Sequence, residues 1–152
     1  MLSSIALMIQ QKAAEHPEKI AIYVGNDHCT YATLAENNRK AALYLSRKNI
    51  KANDRVLVEA DHILPYVYFW YGIQLLGATF VPVEKSTPSN RIREIAKELD
   101  AAAIVTLTKR EDCEEAWSLQ HMMPEILATE DSFVPEEVDS ENLSEILFTT
   151  GT

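Results

Sequence analysis

The sequence predicts an α/β fold: a largely parallel sheet with helices on both faces, preceded by an N-terminal β-hairpin. Two patterns lead to it. Residues 53–107 alternate strand-like and helix-like segments, with R-V-L-V-E at 55–59, T-F-V-P-V at 79–83 and A-A-I-V-T-L at 102–107 as strands. Helix-length stretches separate them, and such crossovers join parallel neighbours in one sheet. Upstream, residues 19–31 hold two short strand-like runs around Gly25-Asn26-Asp27, a cluster that tolerates positive φ. In open parallel sheets, ligands bind beyond the carboxyl ends of the strands. Function is therefore expected in loops that follow strands.

The elements can be justified in order. Residues 3–15 place Ile5, Met8 and Ile9 on one stripe, with Ser3 or Ser4 as cap and Pro17 beyond the end. In the hairpin, Ile20, Ile22 and Val24 share a face by period two, and residues 28–31 return. Thr33 and Glu36 have capping-box spacing, so a helix is expected from Thr33 to about Lys48, with Leu34, Ala41, Ala42 and Leu45 inward. Residues 63–76 are apolar nearly all round, which suits a helix buried on most sides. Its aromatic residues Tyr66, Tyr68, Phe69, Trp70 and Tyr71 are read as core rather than as a substrate pocket. Pro65 is tolerated in the first turn, and Gly77 suits the left-handed stop.

Thr87-Pro88 opens the next helix, whose stripe is Ile92, Ile95, Ala96 and Leu99. Arg91, Arg93 and Lys97 lie off that stripe and are expected to be solvated or salt-bridged. Beyond Lys109 the pattern weakens. A helix is expected at 111–120, a short strand at 126–129, an acidic loop at 135–142 and a last strand at 145–148, followed by T-T-G-T.

The 152 residues suit one domain or one piece of a larger enzyme. The net charge of −9 argues against non-specific nucleic-acid binding. That charge is uneven. Residues 1–108 hold 11 acids against 12 Lys/Arg, and residues 109–152 hold 12 acids against 2. The acidic end is read as a solvated connecting segment. Cys29 and Cys113 match no metal or redox spacing and suggest a reduced, cytoplasmic setting. The longest apolar run, residues 63–76, falls short of the ~20 residues of a membrane-spanning helix. Dinucleotide and Walker-type glycine loops are missing, and His16, His28, His62 and His121 are scattered, so no catalytic or metal-binding residue is assigned.

What remains is Thr149-Thr150-Gly151-Thr152 after a strand, where glycine and threonine can bring N–H and hydroxyl donors to a phosphate. Three segments resemble the adenylate-forming, AMP-binding enzymes: acyl-CoA synthetases, peptide-synthetase adenylation domains and luciferases. Residues 30–35 (T-Y-A-T-L-A) are similar to the family's T-Y-x-E-L. Residues 75–83 (L-L-G-A-T-F-V-P-V), with Pro88 and Arg91, are similar to L-x-A-G-A-x-x-V-P-L…P-x-x-R. Residues 146–152 (I-L-F-T-T-G-T) look like the opening of its phosphate loop, Y/F-T-S/T-G-T/S-T-G-x-P-K-G. Departures are Thr33 in the first segment, Leu76 before Gly77, and Glu84-Lys85 in place of Asp-Pro.

The resemblance implies a parent enzyme in which a carboxylate attacks the α-phosphorus of ATP, pyrophosphate leaves, and a thiol takes the acyl group from the adenylate. Thr149, Thr150, Gly151 and Thr152 would bind ATP phosphates. Mg2+ and coenzyme A are implied for the parent, and none of these ligands is expected on this stretch alone. The chain is expected to be an N-terminal part of the AMP-binding domain, cut within the phosphate loop and inactive alone. The main expectation is an acyl-CoA synthetase acting on a fatty acid. The alternative is an amino-acid-activating adenylation domain or a D-alanine–carrier-protein type of ligase, and a stand-alone flavodoxin-like binding module is the reading from another class. Self-association through an uncovered apolar face is also expected.

Overall fold

The computed structural model describes residues 4–139 and 141–148. Helix α1 (Ile5–Glu15) starts at Ser4, whose side chain accepts the Leu7 N–H at 3.1 Å. Strands β1 (Ile20–Val24) and β2 (Asp27–Thr30) form the expected hairpin, with Gly25 at φ +60°. Their register shifts between Ile20 and Ile22, and Ile20 is exposed while Ile22 and Val24 are half-buried. The expected single face is thus interrupted.

Helix α2 (Tyr31–Arg47) begins two residues before the proposed Thr33 cap. Thr30 is the cap, and its hydroxyl accepts the Thr33 N–H at 3.2 Å. The Thr-to-Glu spacing misled because Thr30, one turn upstream, already satisfies that donor. Leu34, Ala41, Ala42 and Leu45 are buried as anticipated.

Strand β3 (Arg55–Glu59), helix α3 (Leu64–Leu75), strand β4 (Thr79–Val83), helix α4 (Ser89–Glu98) and strand β5 (Ala103–Thr106) follow the alternation closely. Gly77 takes φ +84° after α3. Pro88, rather than Thr87, occupies the N-cap of α4, one residue later than expected, while the Thr87 hydroxyl donates to the Glu84 carbonyl at 2.6 Å.

The C-terminal third differs more. Residues 111–116 turn rather than form a helix, and strand β6 (Trp117–Ser118) leads into helix α5 (Leu119–Leu127). The strand expected at 126–129 is the end of that helix and the turn after it. Ser118 caps α5 by accepting the His121 N–H, and Leu119, Met122, Met123 and Ile126 bury a helical stripe. Pro124 sits inside α5 and broke that period in the sequence. The strand expected at 145–148 reduces to one parallel bridge between Phe80 and Glu145.

The main sheet is parallel throughout, in the order β4-β3-β5-β6. One face, with Val56, Val58, Phe80 and Val105, packs under α2, α3 and α5. The other, with Leu57, Val81 and Val83, packs on Ile92 and Ile95 of α4. Helix α1 lies outside α2 and α3. Helices α2 and α3 approach tightly at Gly72, where a Cβ would lie 2.6 Å from the Ala41 Cβ. This arrangement puts the ends of β3, β4 and β5 on one edge of the domain.

Candidate functional site at the carboxyl ends of the strands

Two cavities of similar size open on that edge, sharing Asp61 and Lys85, which form an ion pair at 3.0 Å. The polar one, about 730 Å³, lies between the ends of β3 and β5 and the start of α4. The more apolar one, about 740 Å³, lies between the hairpin turn and the start of α3.

Glu59 is the hub of the polar cavity. It ends β3 on the α4 side of the sheet and is only 6% exposed. One carboxylate oxygen accepts the Leu107 N–H at 2.9 Å. The other accepts the Ser86 N–H at 2.9 Å and the Arg110 guanidinium at 2.7 Å. Arg110 also donates to the Thr87 carbonyl at 2.6 Å and to the Ser89 hydroxyl at 3.1 Å, and that hydroxyl donates to Asp112 at 2.8 Å. Burial pushes the Glu59 carboxyl up, but the Leu107 and Ser86 amides and Arg110 outweigh it and hold it below the usual range. Ser86 adopts φ +67°, an uncommon conformation for a residue with a side chain. That backbone conformation accompanies an amide donated to Glu59.

One carboxylate therefore ties together the loops after β4 and β5. Its neighbouring cations are engaged as well. Lys85 pairs with Asp61, and Arg93 pairs with Glu115 and donates to the Asp112 carbonyl. Arg91 pairs with Glu94 at 3.2 Å, so the surface pairing expected for Arg91 and Arg93 is present. Sequence reasoning missed Glu59 and Arg110. The signal available was an acid closing an otherwise apolar strand, R-V-L-V-E, where an ionised group needs a buried partner.

The apolar cavity is lined by Tyr23 and Gly25 of the hairpin, His62 and Ile63 of the β3–α3 loop, and Tyr66 and Trp70 of α3. Most of the aromatic helix is core, as expected: Tyr66, Tyr68 and Phe69 are buried. Trp70 is sandwiched, 4.7 Å from the Tyr71 ring at 11° and 5.1 Å from the Phe80 ring at 16°.

The candidate phosphate-binding residues Thr149, Thr150, Gly151 and Thr152 lie outside the described residues. The segment leading to them is placed. The Phe80 N–H donates to the Ser144 carbonyl at 2.9 Å, and the Ile146 N–H donates to the Phe80 carbonyl at 3.1 Å. Residues 144–146 thus run parallel to β4, toward the edge that carries both cavities.

A family model described as AMP-binding enzyme matches residues 9–152. Bacitracin synthase 3 of Bacillus licheniformis is 26% identical over 153 residues, covering 98% of this chain and 2% of that protein. The chain thus spans a small part of that curated relative. Among solved structures, the Klebsiella oxytoca NpsA N-terminal subdomain in complex with 3-hydroxyanthranilyl-AMSN superposes with a TM-score of 0.83 at 18% identity, over 99% of this chain and 38% of that one. NpsA-ThdA, an artificially fused Adenylation-PCP di-domain NRPS from Klebsiella oxytoca, gives 0.86 at 18% identity, over 98% of this chain and 29% of that one. These likenesses establish the fold, and with the family match extending over nearly the whole sequence, the chain belongs to the AMP-binding enzyme family.

Proposed function

We propose that this chain is the N-terminal part of an adenylation domain that activates an amino or aryl acid with ATP and passes it to a carrier-protein thiol. The observation that carries this is the family match over residues 9–152, on a sheet whose carboxyl edge receives the strand-like segment ending in T-T-G-T. In the proposed reaction, a substrate carboxylate oxygen bonds to the α-phosphorus, the bond to pyrophosphate breaks, and the carrier thiol then displaces AMP from the acyl carbon. Bacitracin synthase 3 and the Adenylation-PCP fusion favour the amino-acid alternative over a fatty acid and coenzyme A.

Thr149, Thr150, Gly151 and Thr152 are assigned to the ATP phosphates. The chemistry of the set fits, because hydroxyl and glycine N–H donors follow a segment held parallel to β4. Glu59 and Arg110 are assigned the role of holding the loops beside it in place before substrate arrives, since prior placement of dipoles lowers the cost of stabilising charge. Among the described residues, no group of three or more His, Cys, Asp or Glu could hold a metal ion. Within the same residues, no helix is long and apolar enough to cross a membrane.

Carboxylate-dependent ATP–pyrophosphate exchange tests the reading. The product of the full reading frame is expected to exchange with amino or aryl acids, and the 152-residue chain by itself is expected to give none. Exchange driven best by long-chain fatty acids would restore the acyl-CoA synthetase reading. Exchange by the chain alone would overturn the reading that it is inactive without the rest of the domain.

A further inference from the structure

The segment entering T-T-G-T has very little sheet to hold it. Strand β4 alternates its backbone groups between two neighbours. The Thr79 N–H donates to Asp54 and the Val83 carbonyl accepts from Ala60, both on the β3 side. Phe80 turns its N–H and carbonyl the other way, to Ser144 and Ile146. The next residue facing outward in that alternation is Pro82, which has no N–H to donate. Among the described residues, pairing stops after one bridge, and the ladder there leaves the register of residues 143–148 weakly specified.

A side chain supplies what the ladder lacks. One carboxylate oxygen of Glu145 accepts both the Trp70 indole N–H at 3.0 Å and the Gln74 amide at 2.9 Å. These two donors stand one turn apart on α3. Gln74 is buried, and Trp70 is fixed by its stack between Tyr71 and Phe80. Neither donor can follow a sliding strand. The Thr79 hydroxyl adds a bond to the Leu143 carbonyl at 2.8 Å. The Glu145 charge also reaches two phenols: Tyr66 is pushed up to about 12 by burial and then by Glu145, and Tyr71 is raised by the same two causes.

We propose that Glu145 is a positioning residue that sets the register of the segment feeding the phosphate-binding loop, acting through Trp70 and Gln74. The part concerning ATP rests on the function proposed above, and the part concerning register does not. A shift by one residue would reverse which side chains face α3 and move the start of T-T-G-T by ~3.3 Å along the sheet. That displacement exceeds the tolerance of a hydrogen-bonded phosphate site.

Two variants separate the roles. Glu145→Met keeps a side chain of similar length but offers neither donor a carboxylate oxygen, and Trp70→Phe keeps a ring in the stack but removes the indole N–H. Amide hydrogen exchange on the 152-residue chain is expected to speed up at least ~10-fold at Phe80 and Ile146, with Val56, Leu57 and Val58 unchanged. In the product of the full reading frame, the KM for ATP is expected to rise ~10-fold while the KM for the acid and the thermal midpoint stay within about twofold and a few degrees respectively. Unchanged exchange at Phe80 and Ile146 would overturn the register assignment. Faster exchange with an unaltered KM for ATP would overturn its link to the nucleotide. If the full-length product fails to turn over ATP at all, the proposed function falls, and the exchange measurement still decides the register.

Discussion

At the scale of single residues, Glu59 is the most consequential side chain on the carboxyl edge. It is buried, ionised, and shared among Leu107, Ser86 and Arg110. Removing one partner of such a pair costs more than the pair contributes, because the other charge is left buried. Arg110→Met is therefore expected to lower unfolding free energy by ~3 kcal/mol in urea titrations at neutral pH. The pH dependence has a definite sign. The folded carboxyl lies below the ordinary value of 4.5, so the unfolded chain binds more protons in that range. Stability from Glu59 is complete above about pH 4.5 and is lost as pH falls through its depressed folded value. Asp131 and Glu130, lowered by Arg39 and Arg47, contribute with the same sign. Urea titrations repeated at falling pH should show a shallower acid loss in Glu59→Gln than in the unaltered chain. Equal slopes would assign the acid loss to the surface pairs alone.

At the scale of elements, the contact between α2 and α3 decides how the sheet is covered. Gly72 gives this crossing its room: a Cβ there would meet the Ala41 Cβ at 2.6 Å and the Asn38 carbonyl at 3.1 Å. Alanine gains ~1 kcal/mol over glycine in a free helix interior, whereas overpacking costs ~1–3 kcal/mol. With a contact that short between two rigidly held carbons, overpacking wins. Gly72→Ala is expected to destabilise by ~1–2 kcal/mol in urea, and Ala41→Gly in the same chain to recover part of it. A stabilised Gly72→Ala variant would mean that the two helices can separate freely. The same crossing engages one polar residue inside α2. Asn38 donates to the Tyr68 carbonyl at 2.8 Å, so an asparagine on the inner face ties one helix to the other. Helical periodicity located Leu34, Ala41 and Leu45, but it gave no reason to bury Asn37 and Asn38.

At the scale of the whole molecule, the acidic end is more than a solvated connection. After α5 it crosses α2, where Asp131 takes Arg39 in two bonds of 2.7 Å and Glu130 takes Arg47. It then packs Phe133 beside Ala42 and Leu75 before joining β4. Exposed apolar residues gather where it ends: Leu143, Leu147 and Phe148 are 54%, 66% and 41% exposed. The chain is expected to self-associate through this edge, with a weight-average sedimentation coefficient that rises with concentration and a weaker rise in Leu147→Lys. A constant coefficient at every concentration would refute it.

Local patterning was enough to reveal β3, α3, β4, α4 and β5, and with them a parallel sheet whose ligands belong at its carboxyl edge. Period-two and helical spacing, Pro65 and Gly77 act within a few residues, so their effect survives in a one-dimensional reading. The motif at 75–83 likewise led to the family that the match over 9–152 establishes. Contacts between distant residues decided the rest. Thr30 displaced Thr33 as cap through the geometry of the chain entering α2, and the stripe across Pro124 became a helix by packing against the core. Glu59 meets Arg110 across 51 positions, and Glu145 meets Trp70 across 75. Pairings at such separations leave no local period, because the folded sheet and α3 create the proximity that makes each carboxylate a buried, bonded anchor.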